Sequence, residues 1–395
     1  MRHWTIAVAV CGVLLATMPA RGDYERGMRA YGEGDYATAL RELRTDGSSR
    51  ALFQIGLMYA EGKGVKKADQ RKALEWYRQA ADKGLVRAQF TLGMTYAIGD
   101  QVKADKREAA RWFRKAADQG HADAQYQLGR LYARGDGVRK DAAEATRWYR
   151  AAAEQGHATA QLQLAQLLEK GDTEERGQAV TWFRKAAEQG SVQAQYQLAQ
   201  LLEKGSGQPV DRSEVLKWYR KAAEQRHHRA QFRVGAAYEK GDGVERNPVE
   251  AATWYRKAAD GGVAEAQHSL ALLYLAGDGV KEDTRVGARW LRKAAEQGAA
   301  DAQFDLGYLY ETGRGVKQDY RESLKWYRKA AEQGNDQAQF NLGLLYYNGR
   351  GVKLNREEAI KWFVRSAEQG NEEALRTMEV LGRHIRMRQR VEQAR

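Results

Sequence analysis

Ala124-Gln125-Tyr126-Gln127-Leu128-Gly129, followed by Tyr132, Gly135-Asp136-Gly137-Val138, Asp141, Trp148-Tyr149-Arg150 and Gln155-Gly156, is a pattern that the chain repeats almost to its end. Apart from Trp4, every tryptophan occupies one slot of it: Trp76, Trp112, Trp148, Trp182, Trp218, Trp254, Trp290, Trp326 and Trp362. Their spacing is 36 residues seven times and 34 once. Chance does not space so rare a residue so evenly. The structural unit is therefore a repeat of about 36 residues, stacked many times, with each copy touching only its neighbours.

Each copy divides into two helices. In the first, Ala124, Tyr126, Leu128, Gly129 and Tyr132 recur at helical spacing and mark a buried stripe; in the second the stripe is Ala145, Trp148, Tyr149, Ala152 and Ala153. The leading alanine returns at Ala51, Ala88, Ala124, Ala160, Ala194, Ala230, Ala266, Ala302, Ala338 and Ala374, the last copy keeping only its first helix. Second helices start at Asp or Asn with Glu three residues on, at Asp105/Glu108, Asp141/Glu144, Asp211/Glu214, Asn247/Glu250, Asp319/Glu322 and Asn355/Glu358. That spacing predicts capping boxes, with Pro248 at a first helical position. Gln-Gly closes the second helix, as at Gly120, Gly156 and Gly298. A small residue recurs inside the first helix, at Gly56, Gly93, Gly129, Ala165, Ala199, Gly235, Ala271, Gly307 and Gly343. Glycine there costs up to about 1 kcal/mol relative to alanine, so the column predicts close approach of a neighbouring helix, under the tryptophan. The expected fold is all-α, an α-solenoid of nine to ten antiparallel helix pairs with no strands.

The chain of 395 residues is 43% hydrophobic, ample for a core, and has 40 glycines against three prolines. Residues 1–22 differ from the rest: Arg2 and His3, an apolar run from Thr5 to Met18, then Pro19-Ala20-Arg21-Gly22. They read as a signal peptide cleaved after Ala20 or Gly22, the run being short for a membrane span. Cys11, the only cysteine, lies inside it, so the exported chain would carry no disulfide and no thiol chemistry. Residues 23–50 read as an atypical opening helix pair, residues 51–381 as the solenoid, and residues 382–395 as a basic tail.

Ala-Gln-x-x-Leu-Gly-x-x-Tyr-x-x-Gly-x-Gly-Val-x-x-Asp, continued by Ala-x-x-Trp-Tyr-Arg-Lys-Ala-Ala-x-Gln-Gly, resembles the Sel-one-like repeat family, relatives of the tetratricopeptide repeats. The resemblance covers nearly everything from residue 51 to 381. It implies a right-handed superhelix of antiparallel helix pairs that acts as an adaptor holding other proteins. Cysteine-rich relatives are described as binding penicillin or hydrolysing β-lactams, which raises a cell-wall enzyme or peptidoglycan binder as an alternative. Those relatives carry paired cysteines in each unit, which this chain lacks. Eukaryotic relatives serve ubiquitin ligases in the endoplasmic reticulum, usually with an apolar anchor near the C-terminus, and no apolar stretch of that length follows residue 22.

No nucleotide-binding loop, nucleophile elbow, zinc-type Cys/His set or His-Glu-x-x-His sequence occurs, so the reading has no catalytic residue, cofactor or metal. His121, His157 and His227 share a position at the start of the first helix, but successive units stand about 10 Å apart, too far for one ion to bridge. The arginines following tryptophan, among them Arg78, Arg114, Arg220, Arg256, Arg292 and Arg328, each have Asp or Glu four residues later. They read as a ladder neutralised within its own helix, which argues against nucleic acid despite the net charge of +13. A glutamine column, Gln89, Gln125, Gln161, Gln195, Gln231, Gln267, Gln303 and Gln339, gives way to leucine at Leu52 and Leu375 in the two terminal copies. It reads as an amide that hydrogen-bonds between units.

What remains free to vary is the outward side of the first helix, three, six, seven and ten residues after the leading alanine. Those positions hold Gln127, Arg130 and Arg134; Gln163, Gln166 and Lys170; Gln197, Gln200 and Lys204; and Arg233 and Lys240. Further on they hold Leu272, Tyr308, Leu309, Leu344 and, one residue earlier than the last slot, Tyr347. First helices line the concave side of such solenoids, so a groove is expected that is basic and amide-rich at its centre and more apolar toward its C-terminal end. An extended acidic segment with aromatic or aliphatic anchors would fit it. The copies led by Ala160 and Ala194 deviate together, with Leu168 and Leu202 for tyrosine and altered loops at Asp172-Thr173-Glu174-Glu175 and Ser206-Gly207-Gln208-Pro209. The sequence thus describes an exported monomeric scaffold, periplasmic or secreted, that binds protein and not nucleic acid, without an integral membrane segment once the signal is removed.

Overall fold

The computed structural model describes residues 22–99, 102–205 and 210–393, and among them holds twenty-one helices and no strand. An opening pair, Gly22–Glu33 and Tyr36–Asp46, precedes nine repeat pairs from Ser49–Glu61 to Arg356–Glu368, and a lone helix, Glu372–Gln393, follows them. Residues 1–21 of the expected signal segment and the Ser206-Gly207-Gln208-Pro209 loop lie outside the described residues. Two compact units divide the chain, one ending at Gly171 and the other beginning at Asp172, in the loop that is two residues short.

Helix starts form as the caps dictate. The Asp141 carboxylate accepts from the Ala143 and Glu144 amides, and Asn247 does the same for Glu250 ahead of Pro248. The expected reciprocal bond does not follow at these sites; among the described residues the full capping box is at Asp172 and Glu175. At three of these sites the third-position glutamate has another task. Glu144 accepts the Trp148 indole N–H at 2.9 Å, Glu322 accepts that of Trp326 at 3.1 Å, and Glu214 that of Trp218 at 3.3 Å. A charged acceptor for a buried indole donor is worth more than satisfying a helix-end amide that water reaches.

The tryptophan and the residue after it face different ways. Trp326 packs with Ala288, Leu291, Leu306 and Tyr310, so it fastens its own hairpin to the preceding one. Trp112, Trp148, Trp182, Trp218, Trp326 and Trp362 are buried, and Trp76, Trp254 and Trp290 are partly so. The small column therefore does not lie under the indole. A Cβ built on Gly129 would stand 2.8 Å from the Tyr149 ring, one on Gly307 2.6 Å from Tyr327, and one on Gly93 2.5 Å from Phe113. The first helix is thus pressed against the aromatic that follows tryptophan, and at Ala271 the equivalent partner is the slimmer Leu291.

The glutamine column ties neighbouring hairpins as the sequence implies. Gln303, buried, donates from Nε2 to the Ala295 carbonyl of the preceding second helix at 3.0 Å and accepts at Oε1 from Gln333 at 2.8 Å. Gln125 does the same between Ala117, at 3.2 Å, and Gln155, at 2.7 Å. At Gln231 the helix-closing glutamine is replaced by Gly261, and the His228 ring fills the gap with Nδ1 3.1 Å from Gln231 Oε1. Changing Gln303 to leucine is expected to remove both bonds, leaving the Ala295 carbonyl to the Gly298 amide and Gln333 to solvent, and to cost about 1 kcal/mol in urea unfolding. Arg226 sits at φ 66° where sister repeats place glycine; Arg226→Gly should raise stability by about 1 kcal/mol in the same assay.

Candidate protein-interaction face

Histidine at the start of the first helix acts as a helix cap. Nδ1 of His121, His157 and His227 accepts from the amides of Ala124, Ala160 and Ala230 at 3.3, 3.1 and 3.1 Å. Each ring stacks on the aromatic of the preceding first helix, Phe90, Tyr126 or Tyr196, with centroids 4.2–4.8 Å apart. Ser191 and Asn335 do the capping at the same repeat position elsewhere.

The post-tryptophan arginines reach across repeats. The guanidinium of Arg78 donates to the Tyr96 phenol, and Arg114, Arg220, Arg256, Arg292 and Arg328 donate to Tyr132, Tyr238, Tyr274, Tyr310 and Tyr346. The partner lies 18 residues on, in the next first helix. Where Leu202 offers no hydroxyl, Arg184 instead pairs with Glu214 at 2.8 Å. This column is a second strap between hairpins.

In the first compact unit, Gln127, Arg130 and Arg134 lie on Ala122–Arg134, and Gln163 and Gln166 on Ala158–Leu168 with Lys170 just beyond. Arg134 and Lys170 are exposed and the other four are partly buried. Gln163 Nε2 donates to Gln166 Oε1 at 3.0 Å. Burial, aided by Tyr126, pushes the Tyr149 phenol up to about 12 against the opposing charges of Arg130 and Arg134.

In the second unit, Gln197 and Gln200 lie partly buried on Val192–Lys204, where Gln200 donates to the Tyr196 phenol at 3.2 Å and Lys204 is exposed. Arg233 and Lys240 are exposed on His228–Lys240, and Tyr308 is exposed farther along. Leu309, expected to face outward, is 2% exposed: the seventh position after the leading alanine belongs to the core, as Leu273 and Leu345 also show.

Two grooves on this face are equivalent in the repeat yet opposite in chemistry. One is lined by the charged Glu203, Arg212, Arg233, Lys240 and Asp242 together with Val215, Leu216, Tyr219, Ala236 and Ala237. The other is lined by Tyr347, Phe363, Thr377, Val380, Leu381 and Leu344, with Arg376. Glu203 and Tyr347 hold the same repeat position, as do Tyr219 and Phe363, Arg233 and Thr377, and Ala237 and Leu381, four repeats apart.

Sequence reasoning missed the groove floor. Tyr219 donates to Glu203 at 2.7 Å, Tyr255 to Glu239 at 2.6 Å and Tyr327 to Glu311 at 2.8 Å. Burial first, then the carboxylate, raises the pKa of all three phenols. A signal for these pairs exists at a spacing of 16 residues: glutamate accompanies Tyr77, Tyr219, Tyr255 and Tyr327, though Ala133 accompanies Tyr149, while Leu275 accompanies Leu291 and Tyr347 accompanies Phe363. In the second unit the exposed cations Lys204, Arg233 and Lys240 therefore stand on first helices whose floor carries its own carboxylates.

The family profile of the Sel1 repeat matches nine times, over residues 49–85, 86–121, 122–157, 158–191, 192–227, 228–263, 264–298, 300–335 and 336–371. The chain belongs to the Sel1 repeat family, whose members are generally protein-interaction scaffolds. It is similar to the crystal structure of c5321, a protective antigen of uropathogenic Escherichia coli strains displaying an SLR fold. The two share 37% identity over 89% of this chain and 77% of the other, with a TM-score of 0.78. A Sel1 repeat protein from Oxalobacter formigenes is 30% identical over 90% of this chain and 94% of its own length, with a TM-score of 0.43. No curated protein matches. Among the described residues no helix is long and apolar enough to cross a membrane.

The His227 cap makes stability acid-sensitive. Burial, with Arg229 and His228 nearby, lowers the His227 pKa below its usual 6.5. A depressed pKa contributes stability above the unfolded value that is lost as pH falls through the folded one. The melting temperature is expected to fall below about pH 6.5. His227→Asn, which keeps the cap as Asn335 does, should flatten that fall in thermal scans.

Proposed function

We propose that the chain is an exported, non-enzymatic scaffold, periplasmic or secreted, that binds a partner protein along the outward side of its first helices, the partner presenting an extended acidic segment. The observation that carries this is the pair of equivalent grooves whose frame is shared and whose lining differs. A repeated frame with a varied lining gives each hairpin a separate recognition position without changing the stack. Export rests on the composition of residues 1–22. Protein is favoured over nucleic acid because the most regular arginine column is engaged with tyrosines of the next hairpin.

The test is affinity capture from a periplasmic extract with the mature chain and with a variant carrying Arg130→Glu, Arg134→Glu, Lys170→Glu and Arg233→Glu. The captured partner is expected to disappear with the variant while helicity and melting temperature stay the same. Equal capture by both proteins rejects this face as the binding surface.

A further inference from the structure

Building on that reading, we propose that the partner segment is held at two anchors in the second compact unit: an acidic side chain at Arg233 and Lys240, and a bulky apolar side chain over Phe363, roughly 10–12 extended residues apart.

The first anchor follows from how the charges of its groove are already used. Glu203 accepts the Tyr219 hydroxyl at 2.7 Å, so one of its oxygens is occupied by the floor. Arg233 stands 3.6 Å from Glu203 and Arg212 3.5 Å from Asp242. Charge-assisted bonds close to about 2.7–2.9 Å, so both guanidiniums keep donor capacity that these loose pairs do not consume. Arg212, Arg233 and Lys240 outnumber Glu203 and Asp242, and Ala236 and Ala237 leave room above the floor. Arg233 is also the one cation at its repeat position; the other copies hold Gln, Thr, Ser, Asp or Asn there. A carboxylate delivered from outside would complete the arginine fork and relieve the excess positive charge.

The second anchor is the same groove four repeats on with its Glu203 and Arg233 positions exchanged for uncharged residues, while the Arg212 position stays a cation, Arg356, laid over the Tyr347 ring. Tyr347 replaces the glutamate, Phe363 the tyrosine, Thr377 the arginine, and Val380 and Leu381 the two alanines. Val380 is 47% exposed and brings an apolar side chain of this lining to the surface. Because it is continuous in repeat position with the charged groove, one extended segment crossing successive first helices meets both. First helices spaced about 8–10 Å apart put four repeats at roughly 32–40 Å, which an extended chain spans in about 10–12 residues.

A displayed library of random 16-residue peptides, selected on the mature chain and then measured against two variants, decides the matter. The enriched peptides are expected to share an acidic and a large apolar residue about 10–12 positions apart. Arg233→Glu with Lys240→Glu should weaken such a peptide at least tenfold, and changing the peptide's acidic residue to lysine should restore its binding to that variant. Val380→Glu should weaken the same peptide without altering its dependence on the acidic residue. All three sites are exposed, and circular dichroism confirms that each variant keeps its helices. No enrichment, enrichment without that spacing, or binding indifferent to both variants overturns the two-anchor assignment. If such an outcome accompanies loss of partner capture by the charge-reversed face, only the two anchors fall; if capture is also unaffected, the binding face falls with them.

Discussion

A primary amide buried between two helical hairpins has no water to turn to, so both of its ends must find protein partners or it destabilises the packing. In this chain each column glutamine meets that demand by bonding a carbonyl of the preceding hairpin and, in most copies, the closing glutamine of its own. Carbonyl and amide can be satisfied together only if successive hairpins adopt one relative placement. Hydrophobic burial supplies most of the driving force for stacking, but it is non-directional; the amide selects the register. The arginine-to-tyrosine strap repeats the same constraint at the other end of the first helix. The Gly261 and His228 substitution shows how strict the demand is: when the donor is lost from the helix end, a ring from the adjacent first helix takes over the same acceptor.

With the frame held in this way, the outward side of the first helix is released from structural duty. The floor beneath it is less free. The tyrosines after tryptophan in the second unit, Tyr219, Tyr255 and Tyr327, each donate to a glutamate of the first helix, Glu203, Glu239 and Glu311. At Leu291 and Phe363, where the phenol is replaced, Leu275 and Tyr347 stand in place of the acid. Groove chemistry is therefore set by linked changes at two positions, which is how one frame carries a charged groove at Arg233 and an apolar one at Phe363.

Much of this was legible before any coordinates. The even tryptophans gave the period, the Asp and Asn caps gave the starts of second helices, and the glutamine column announced its role by vanishing in the terminal copies. What misled was in each case a question of direction. Glu144 looks like half of a capping box because spacing along a helix shows which residues are near, not which donor they prefer. Gly129 looks like a seat for tryptophan because the indole is larger, yet it is Tyr149 that turns inward. Leu309 falls near the outward positions on a helical wheel and is nevertheless buried, because a neighbouring hairpin covers that side of the helix.

The amino-acid sequence alone determined the period, the helical class, the helix ends and the identity of the repeating columns, since all of these follow from local propensity and from spacing within some forty residues. Only the tertiary structure decided which partner each column meets: indole with glutamate, histidine with a helix start, arginine with the next tyrosine, and groove residue with groove residue across hairpins. The physical reason is that periodicity records which side chains share a face of one helix, whereas contacts between helices depend on how the hairpins rotate against each other. That rotation is set jointly by packing and by buried hydrogen bonds, and no single segment contains it.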